Sequence, residues 1–315
     1  MCQNFPISRR DFLAGTGAML LASHIPLLAE SADEPIIDIH QHTDYAGRTH
    51  EHLLAHQRRM GISKTILLPA GTPAFGMSTH QGKTNGLQAK CSGNYVCYAI
   101  SQKYPGEFTF GANEVPDLPD AVKEIEKYLK LGAPMIGELK FGLDCDSKEM
   151  QNIYKLAEEY KVPVLMHWQF QMFNYNFERF PKMLEKYPKV NFIGHAQTWW
   201  ANIDKNHTDQ NVLYPKTKVT KGGLTDRLLS DYANMYGDLS AGSGLLSMTR
   251  DEDHATDFLT RHQDKLLYGS DCDDIAGSGK ACQGSQTISE IKKLASSKKV
   301  ERKLLYENAK QLFRL

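Results

Sequence analysis

The stretch Ile36-Ile37-Asp38-Ile39-His40-Gln41-His42 decides how this chain reads. An apolar, β-branched run leads into His-x-His, and such a run reads as a parallel strand buried on both faces. Residues two apart on a strand point the same way. His40 and His42 can therefore aim both imidazoles at one point where the strand ends, as a metal ion requires. Three more potential ligands follow strand-like runs. They are His167 after Val162-Pro163-Val164-Leu165-Met166, His195 after Val190-Asn191-Phe192-Ile193-Gly194, and Asp271 after Leu266-Leu267-Tyr268-Gly269-Ser270.

Outward from that stretch the pattern alternates. Strands are expected at 35–39, 64–68, 108–112, 135–141, 163–167, 191–195, 235–240 and 265–271. Helices are expected at 49–60, 93–103, 118–131, 148–160, 177–186, 224–232 and 254–262, with two closing helices in 288–313. Long loops fall at 69–90 and 198–223, the second polar apart from Trp199 and Trp200. Strands alternating with helices argue for a parallel sheet. Eight such units in 315 residues fit an α/β fold of the (β/α)8 TIM-barrel type, as a single domain over 33–315. No Gly-x-Gly-x-x-Gly follows the first strand, so a dinucleotide fold loses its main cue. All five candidate ligands fall at strand ends, the functional face of such a barrel.

Lys+Arg and Asp+Glu are balanced at 37 each. That balance predicts no nucleic-acid partner and no attraction to an anionic membrane. Ser8-Arg9-Arg10-Asp11-Phe12-Leu13 precedes an apolar, Gly/Ala-rich stretch to Ala29. Positive charge, apolar core and small residues in that order make 1–32 a secretory signal of the twin-arginine kind. The twin-arginine export machinery is then a partner, and the mature chain is periplasmic or secreted. Cys2 would leave with the signal, and Cys91, Cys97, Cys145, Cys272 and Cys282 would stay. An odd number leaves at least one thiol unpaired. A disulfide Cys91–Cys97 or Cys272–Cys282 is left open.

Taken with Asp38-Ile-His-Gln-His, the motifs Pro163-Val-Leu-Met-His, Phe192-Ile-Gly-His, Tyr236-Gly-Asp-Leu-Ser, Leu267-Tyr-Gly-Ser-Asp and Glu307-Asn308-Ala309 resemble the amidohydrolase superfamily. The likeness is to the branch of amidohydrolase-related hydrolases and aminocarboxymuconate-semialdehyde decarboxylases, and it covers nearly the whole mature chain. It implies His40, His42, His167 and Asp271 as ligands of a divalent metal, zinc before others. It implies His195 as the imidazole that orients or deprotonates the attacking water, and Asp271 as a proton shuttle to the leaving group. One ion is favoured. Glu138, two residues from Lys140 on the fourth strand, would line the site, pair with Lys140 or, in a two-ion alternative, bridge two metals with His195 as a ligand.

Lys140, Trp168, Trp199 and Arg48 are the candidate substrate contacts, the cations for a carboxylate and the indoles for stacking. Phe170 and Trp200 could also stack. His50, His52 and His56 read as a solvated helix face, and Ser240-Ala-Gly-Ser-Gly as a flexible turn. The expected activity is metal-dependent hydrolysis of an amide, lactone or ester carbonyl in a small molecule. The alternatives are non-oxidative decarboxylation on the same site and a non-catalytic binding barrel. A homo-oligomer is compatible with the sequence.

Overall fold

Ile36–Gln41 forms β1, and all six of its residues are buried, as the apolar run requires. A computed structural model describes residues 34–71 and 91–315; the expected signal over 1–32 and most of the expected loop over 69–90 lie outside them. In chain order the further strands are β2 (Ile62–Leu67), β3 (Phe108–Phe110), β4 (Ile136–Leu139), β5 (Val164–His167), β6 (Phe192–His195), β7 (Met235–Asp238) and β8 (Leu266–Leu267). All ladder pairings among them are parallel, in two arcs, β1-β2-β3 and β4-β5-β6-β7-β8.

Backbone hydrogen bonds join the arcs into a ring. Ala112 N–H donates to Met135 O at 3.0 Å and Gly137 N–H to Ala112 O at 2.9 Å, which bridges β3 to β4. Ile39 N–H donates to Tyr268 O at 3.2 Å and Asp271 N–H to His40 O at 2.7 Å, which bridges β8 to β1. The expected eighth strand over 265–271 is thus regular for two residues, yet its continuation still tracks β1.

Helices cover the outside: α1 (His50–Arg59), α2 (Asn94–Lys103), α3 (Ala121–Lys130), α4 (Lys148–Tyr160), α5 (Pro181–Lys186), α6 (Gln197–Ala201), α7 (Leu224–Asp231), α8 (Ala241–Thr249), α9 (Glu252–Arg261), α10 (Gln283–Leu294), α11 (Lys298–Arg302) and α12 (Asn308–Phe313). In α3 the buried Ala121, Ile125, Tyr128 and Leu129 recur at helical spacing, with charged residues between them. Ser147 caps α4 by accepting from Met150 N–H at 3.2 Å. Several elements differ from expectation: the tail folds into three helices, α10 to α12, where two were expected, and the helix expected over 177–186 is regular only from Pro181. The turn Ser240-Ala-Gly-Ser-Gly is the start of α8, and Thr198 to Ala201 belong to a short helix that carries Trp199 and Trp200 into the core.

The strands separate two apolar layers. Ile36, Phe108, Ile136, Val164, Phe192 and Leu266 face the helices. Ile37, Ile39, Ile66, Leu165, Ile193 and Leu267 fill the barrel interior, closed below by Ala309 and Phe313 of the C-terminal α12. On β5 and β6, His167 and His195 stand two residues beyond Leu165 and Ile193, so each imidazole sits one layer above the inner core. On β1 a register shift between Asp38 and Gln41 turns His40 to the same side as Ile39.

Candidate metal centre

Six side chains meet above the inner layer. Glu138 stands between two pairs of imidazoles. Its Oε2 lies 3.6 Å from His40 Nε2 and 3.5 Å from His42 Nε2. Its Oε1 lies 2.5 Å from His167 Nδ1 and 3.6 Å from His195 Nε2. Asp271 faces the same space from β8, with Oδ1 3.7 Å from His40 Nε2 and 3.5 Å from His42 Nε2, and Oδ2 3.7 Å from His195 Nε2. The expected ligands His40, His42, His167 and Asp271 are therefore brought together, and His195 and Glu138 join them.

The far side of three rings is pinned. His40 Nδ1 lies 2.7 Å from Asp238 Oδ2, and His42 Nδ1 donates to Leu68 O at 2.9 Å. His195 Nδ1 lies 3.0 Å from Ser240 Oγ, which itself donates to Asp238 Oδ2 at 2.8 Å. With Nδ1 occupied, each ring presents Nε2 to the centre, the arrangement that partners behind metal-binding imidazoles enforce. Asp238 and Ser240 were not among the sequence candidates. Asp238 was legible in principle, as an acid closing a strand in step with His167 and His195.

The donor set fits a divalent cation. His40 Nε2 and Asp271 Oδ1 are buried without a hydrogen-bond partner, and such groups are costly unless something else satisfies them. Burial alone would lower the His40 pKa, but Asp271, Asp238 and Glu138 around it raise it well above the ordinary value. Burial would likewise lower His42, and Cys91, Glu138 and Asp271 instead push it up to about 10. A field that favours protons so strongly favours a bound cation by the same Coulombic attraction. His167 behaves oppositely: burial, then the Lys140 ammonium, hold it at about 4. Groups of three that could hold an ion are His40, His42 and Glu138; Glu138, His167 and His195; and His40, His195 and Asp271.

Two backbone features permit this crowding. A Cβ on Gly269 would lie 2.6 Å from Asp238 Oδ1 and 2.7 Å from His40 Cβ, so glycine alone lets β8 pass beside them. Asp271 itself adopts a left-handed φ of 43°, uncommon for a residue with a side chain and concentrated at functional sites. Its side chain is 12% exposed, against 5% for His167, and it is the most exposed member of the cluster.

The substrate-contact candidates divide. Arg48 is not free for a carboxylate: its buried guanidinium donates to Thr43 O, Cys272 O, Asp274 O and His42 O and to Gln41 Oε1, so it fastens the loops around the site. Trp168 and Trp199 are fully buried and pack on Phe177, so neither ring stands at the rim; Trp200 is also core. Lys140 stays at the mouth, its Nζ 5.6 Å from the Phe173 ring centre. A cavity of about 660 Å³ opens beside the cluster, lined by Gln169, Phe170, Asn174, Tyr175 and Thr198 among others. Gln169 also touches the metal centre, its Oε1 3.2 Å from His167 Nε2. His50 and His52 are exposed as expected, but His56 is fully buried.

Solved structures share this architecture. A probable 2-pyrone-4,6-dicarboxylic acid hydrolase from Acinetobacter baumannii with citric acid bound superposes with a TM-score of 0.58 at 13% identity, over 89% of this chain and 99% of that one. The 2,6-dihydroxybenzoate decarboxylase from Rhizobium gives 0.54 at 13% identity, over 89% and 99%. The 5-carboxyvanillate decarboxylase from Novosphingobium aromaticivorans, complexed with manganese, gives 0.56 at 14% identity, over 90% and 97%. At these identities the likeness is one of fold. No curated protein matches the sequence. The model of the amidohydrolase family matches residues 37–315, from the strand that carries His40 and His42 to the last residue. With that match over a barrel whose strand ends gather imidazoles and carboxylates, the chain belongs to the amidohydrolase family.

Proposed function

We propose that the protein is a metal-dependent hydrolase of small molecules, acting on an amide, lactone or ester carbonyl. The observation that carries this reading is the division of the Glu138 carboxylate, with Oε2 toward His40 and His42 and Oε1 toward His167 and His195. That placement supports the two-ion alternative over the single ion that the sequence favoured, with zinc as the first candidate. It also speaks for hydrolysis, because a carboxylate shared between two ions suits the activation of an attacking water.

His40, His42, Glu138, His167, His195 and Asp271 would hold the ions, which supply Lewis-acid polarisation of the carbonyl and acidify water when bound. Asp271 is the more exposed of the two carboxylates in the cluster, 12% against 2% for Glu138, and would accept the proton of the attacking water and return it to the leaving group. Asp238 and Ser240 hold His40 and His195 in their working tautomers. Lys140 orients an anionic substrate arriving through the cavity of Gln169 and Phe170.

Lys140 also supports a second reading, decarboxylation of an unsaturated carboxylic acid, since it could clamp the carboxylate. Export through the twin-arginine route, carried by Ser8-Arg9-Arg10-Asp11-Phe12-Leu13, is part of the proposal. The test is a panel of lactones, esters, amides and aromatic carboxylic acids offered to zinc- and manganese-loaded protein. Base uptake at constant pH reports lactone and ester hydrolysis, release of free amine reports amide hydrolysis, and evolved carbon dioxide reports decarboxylation. Carbon dioxide release without hydrolysis of any carbonyl substrate would replace the first reading with the second.

A further inference from the structure

A second group of metal-type donors lies outside the catalytic cluster and shares no ligand with it. His56 of α1, Cys272 just beyond Asp271, and Cys282 at the start of α10 are each fully buried. Cys272 Sγ is 3.8 Å from Cys282 Sγ, and Cys282 Sγ is 3.4 Å from His56 Nε2. All three donor atoms lie within 4.8 Å of one another. We propose that His56, Cys272 and Cys282 form a structural zinc site, its fourth position facing Asp274 and Met60.

The edges of the triangle match the ion. Zinc–sulfur bonds of ~2.3 Å and zinc–nitrogen bonds of ~2.0–2.1 Å at tetrahedral angles place two thiolates ~3.8 Å apart and a thiolate ~3.5 Å from an imidazole nitrogen. Two observed edges, 3.8 and 3.4 Å, have those lengths, and the third, from Cys272 to His56, is within 4.8 Å. A disulfide, which the sequence left open, needs its sulfurs at ~2.05 Å, and both cysteines are free thiols in the structure.

The surroundings prepare the donors. His56 Nδ1 lies 3.3 Å from Gln57 Oε1, so the ring donates there and keeps the Nε2 lone pair toward the thiols. Gln57 is itself held by its amide donating to Asp38 Oδ2 at 2.8 Å. Cys282 Sγ accepts from Ser285 N–H at 3.3 Å at the helix start, a place that favours thiolate. Met60 Sδ lies 3.5 Å from Cys282 Sγ, and Asp274 Oδ2 lies 4.0 Å from His56 Nε2. Thiolates with imidazole select zinc over magnesium, calcium or manganese. The bound ion ties α1, the chain beyond β8 and α10 together behind Asp271.

The test uses full-length protein prepared without oxygen or chelator and loaded with cobalt in place of zinc. Wild type should show sulfur-to-cobalt charge-transfer absorption in the near ultraviolet. Cys282→Ser and His56→Gln should weaken or lose the band and hold about one zinc fewer per chain. Glu138→Gln, in the catalytic cluster, and Cys91→Ser, beside His42, should keep it. The band comes from thiolates, so it stands whether or not the catalytic reading does, and the wild-type spectrum decides even if a variant misfolds. Cobalt bound to wild type with no such band would overturn the site. So would a peptide map, after alkylation of the denatured chain, showing Cys272 and Cys282 joined to each other.

Discussion

One carboxylate oxygen, Asp238 Oδ2, lies 2.7 Å from His40 Nδ1. The same oxygen is 3.3 Å from His195 Nδ1, so a single buried acid positions rings on both sides of the centre. Asp238→Asn removes the charge and one of the two acceptor oxygens. Affinity for zinc should fall about 10- to 100-fold, read by titration against a competing chelator, with the far-ultraviolet dichroism unchanged. Unaltered affinity would show that the rings are held without Asp238.

Glu138→Gln tests the shared carboxylate. The substitution keeps the shape and loses the negative charge between the imidazole pairs, so the catalytic cluster should retain about one ion fewer. Elemental analysis in a Cys282→Ser background counts the catalytic ions apart from the proposed thiolate site. An unchanged count would return Glu138 to a lining role.

Lys140→Met removes the ammonium at the mouth. For a substrate carrying a carboxylate, KM should rise about tenfold, the equivalent of about 1.4 kcal/mol, with kcat little changed. Hydrolysis of a neutral ester should be unaffected. Steady-state kinetics on a matched acid and amide pair separates the two.

Asp226 offers a stability test far from the chemistry. Its buried carboxylate lies 2.6 Å from Arg261 Nη1 and 2.7 Å from His262 Nε2, and accepts from Gly222 N–H at 2.9 Å. Burial would raise its pKa, yet His262 and Arg261 pull it far below the ordinary 3.8. The unfolded chain therefore binds a proton in acid that the folded chain refuses. The contribution is full above about pH 5 and fades as pH falls below 4 toward the depressed folded value. Asp226→Asn should cost about 2–3 kcal/mol, less than a fully buried pair, because the Arg261 side chain is 23% exposed. Thermal unfolding at pH 7 should show a loss of about 5–10 °C, and the gap between variant and wild type should narrow toward pH 3.

Gly194→Ala probes the packing under the site. The added Cβ would meet the Trp199 ring at 2.4 Å. Overpacking of this kind costs about 1–3 kcal/mol, and here it displaces the residue before His195. The melting temperature should drop and the loss of activity should exceed the loss of folded protein.

The barrel was legible because its strands are apolar runs closed by polar residues. The convergence of His40, His42, His167, His195 and Asp271 followed from that rule. Arg48, Trp168 and Trp199 were misread because sequence position near a strand end says nothing about which way a long side chain turns, and His56 because a polar helix face does not reveal what packs against it. Arg48 turned to carbonyls of two loops, the indoles turned under α6, and His56 turned to cysteines more than two hundred residues away. Asp238 escaped because its partners are imidazoles from β1 and β6, a pairing that only the closed ring creates.

The bonds that shut that ring, from Ile39 to Tyr268 and from Asp271 to His40, belong to the first strand and to the chain after the last. A nascent chain on the ribosome has His40, His42, Glu138, His167 and His195 long before it has Asp271. Until the chain beyond β8 emerges, the first arc has no edge to meet and the cluster lacks its last carboxylate, Asp271. Closure of the ring and completion of the candidate metal centre are thereby one event, so a product stalled before Asp271 would be released with both unfinished.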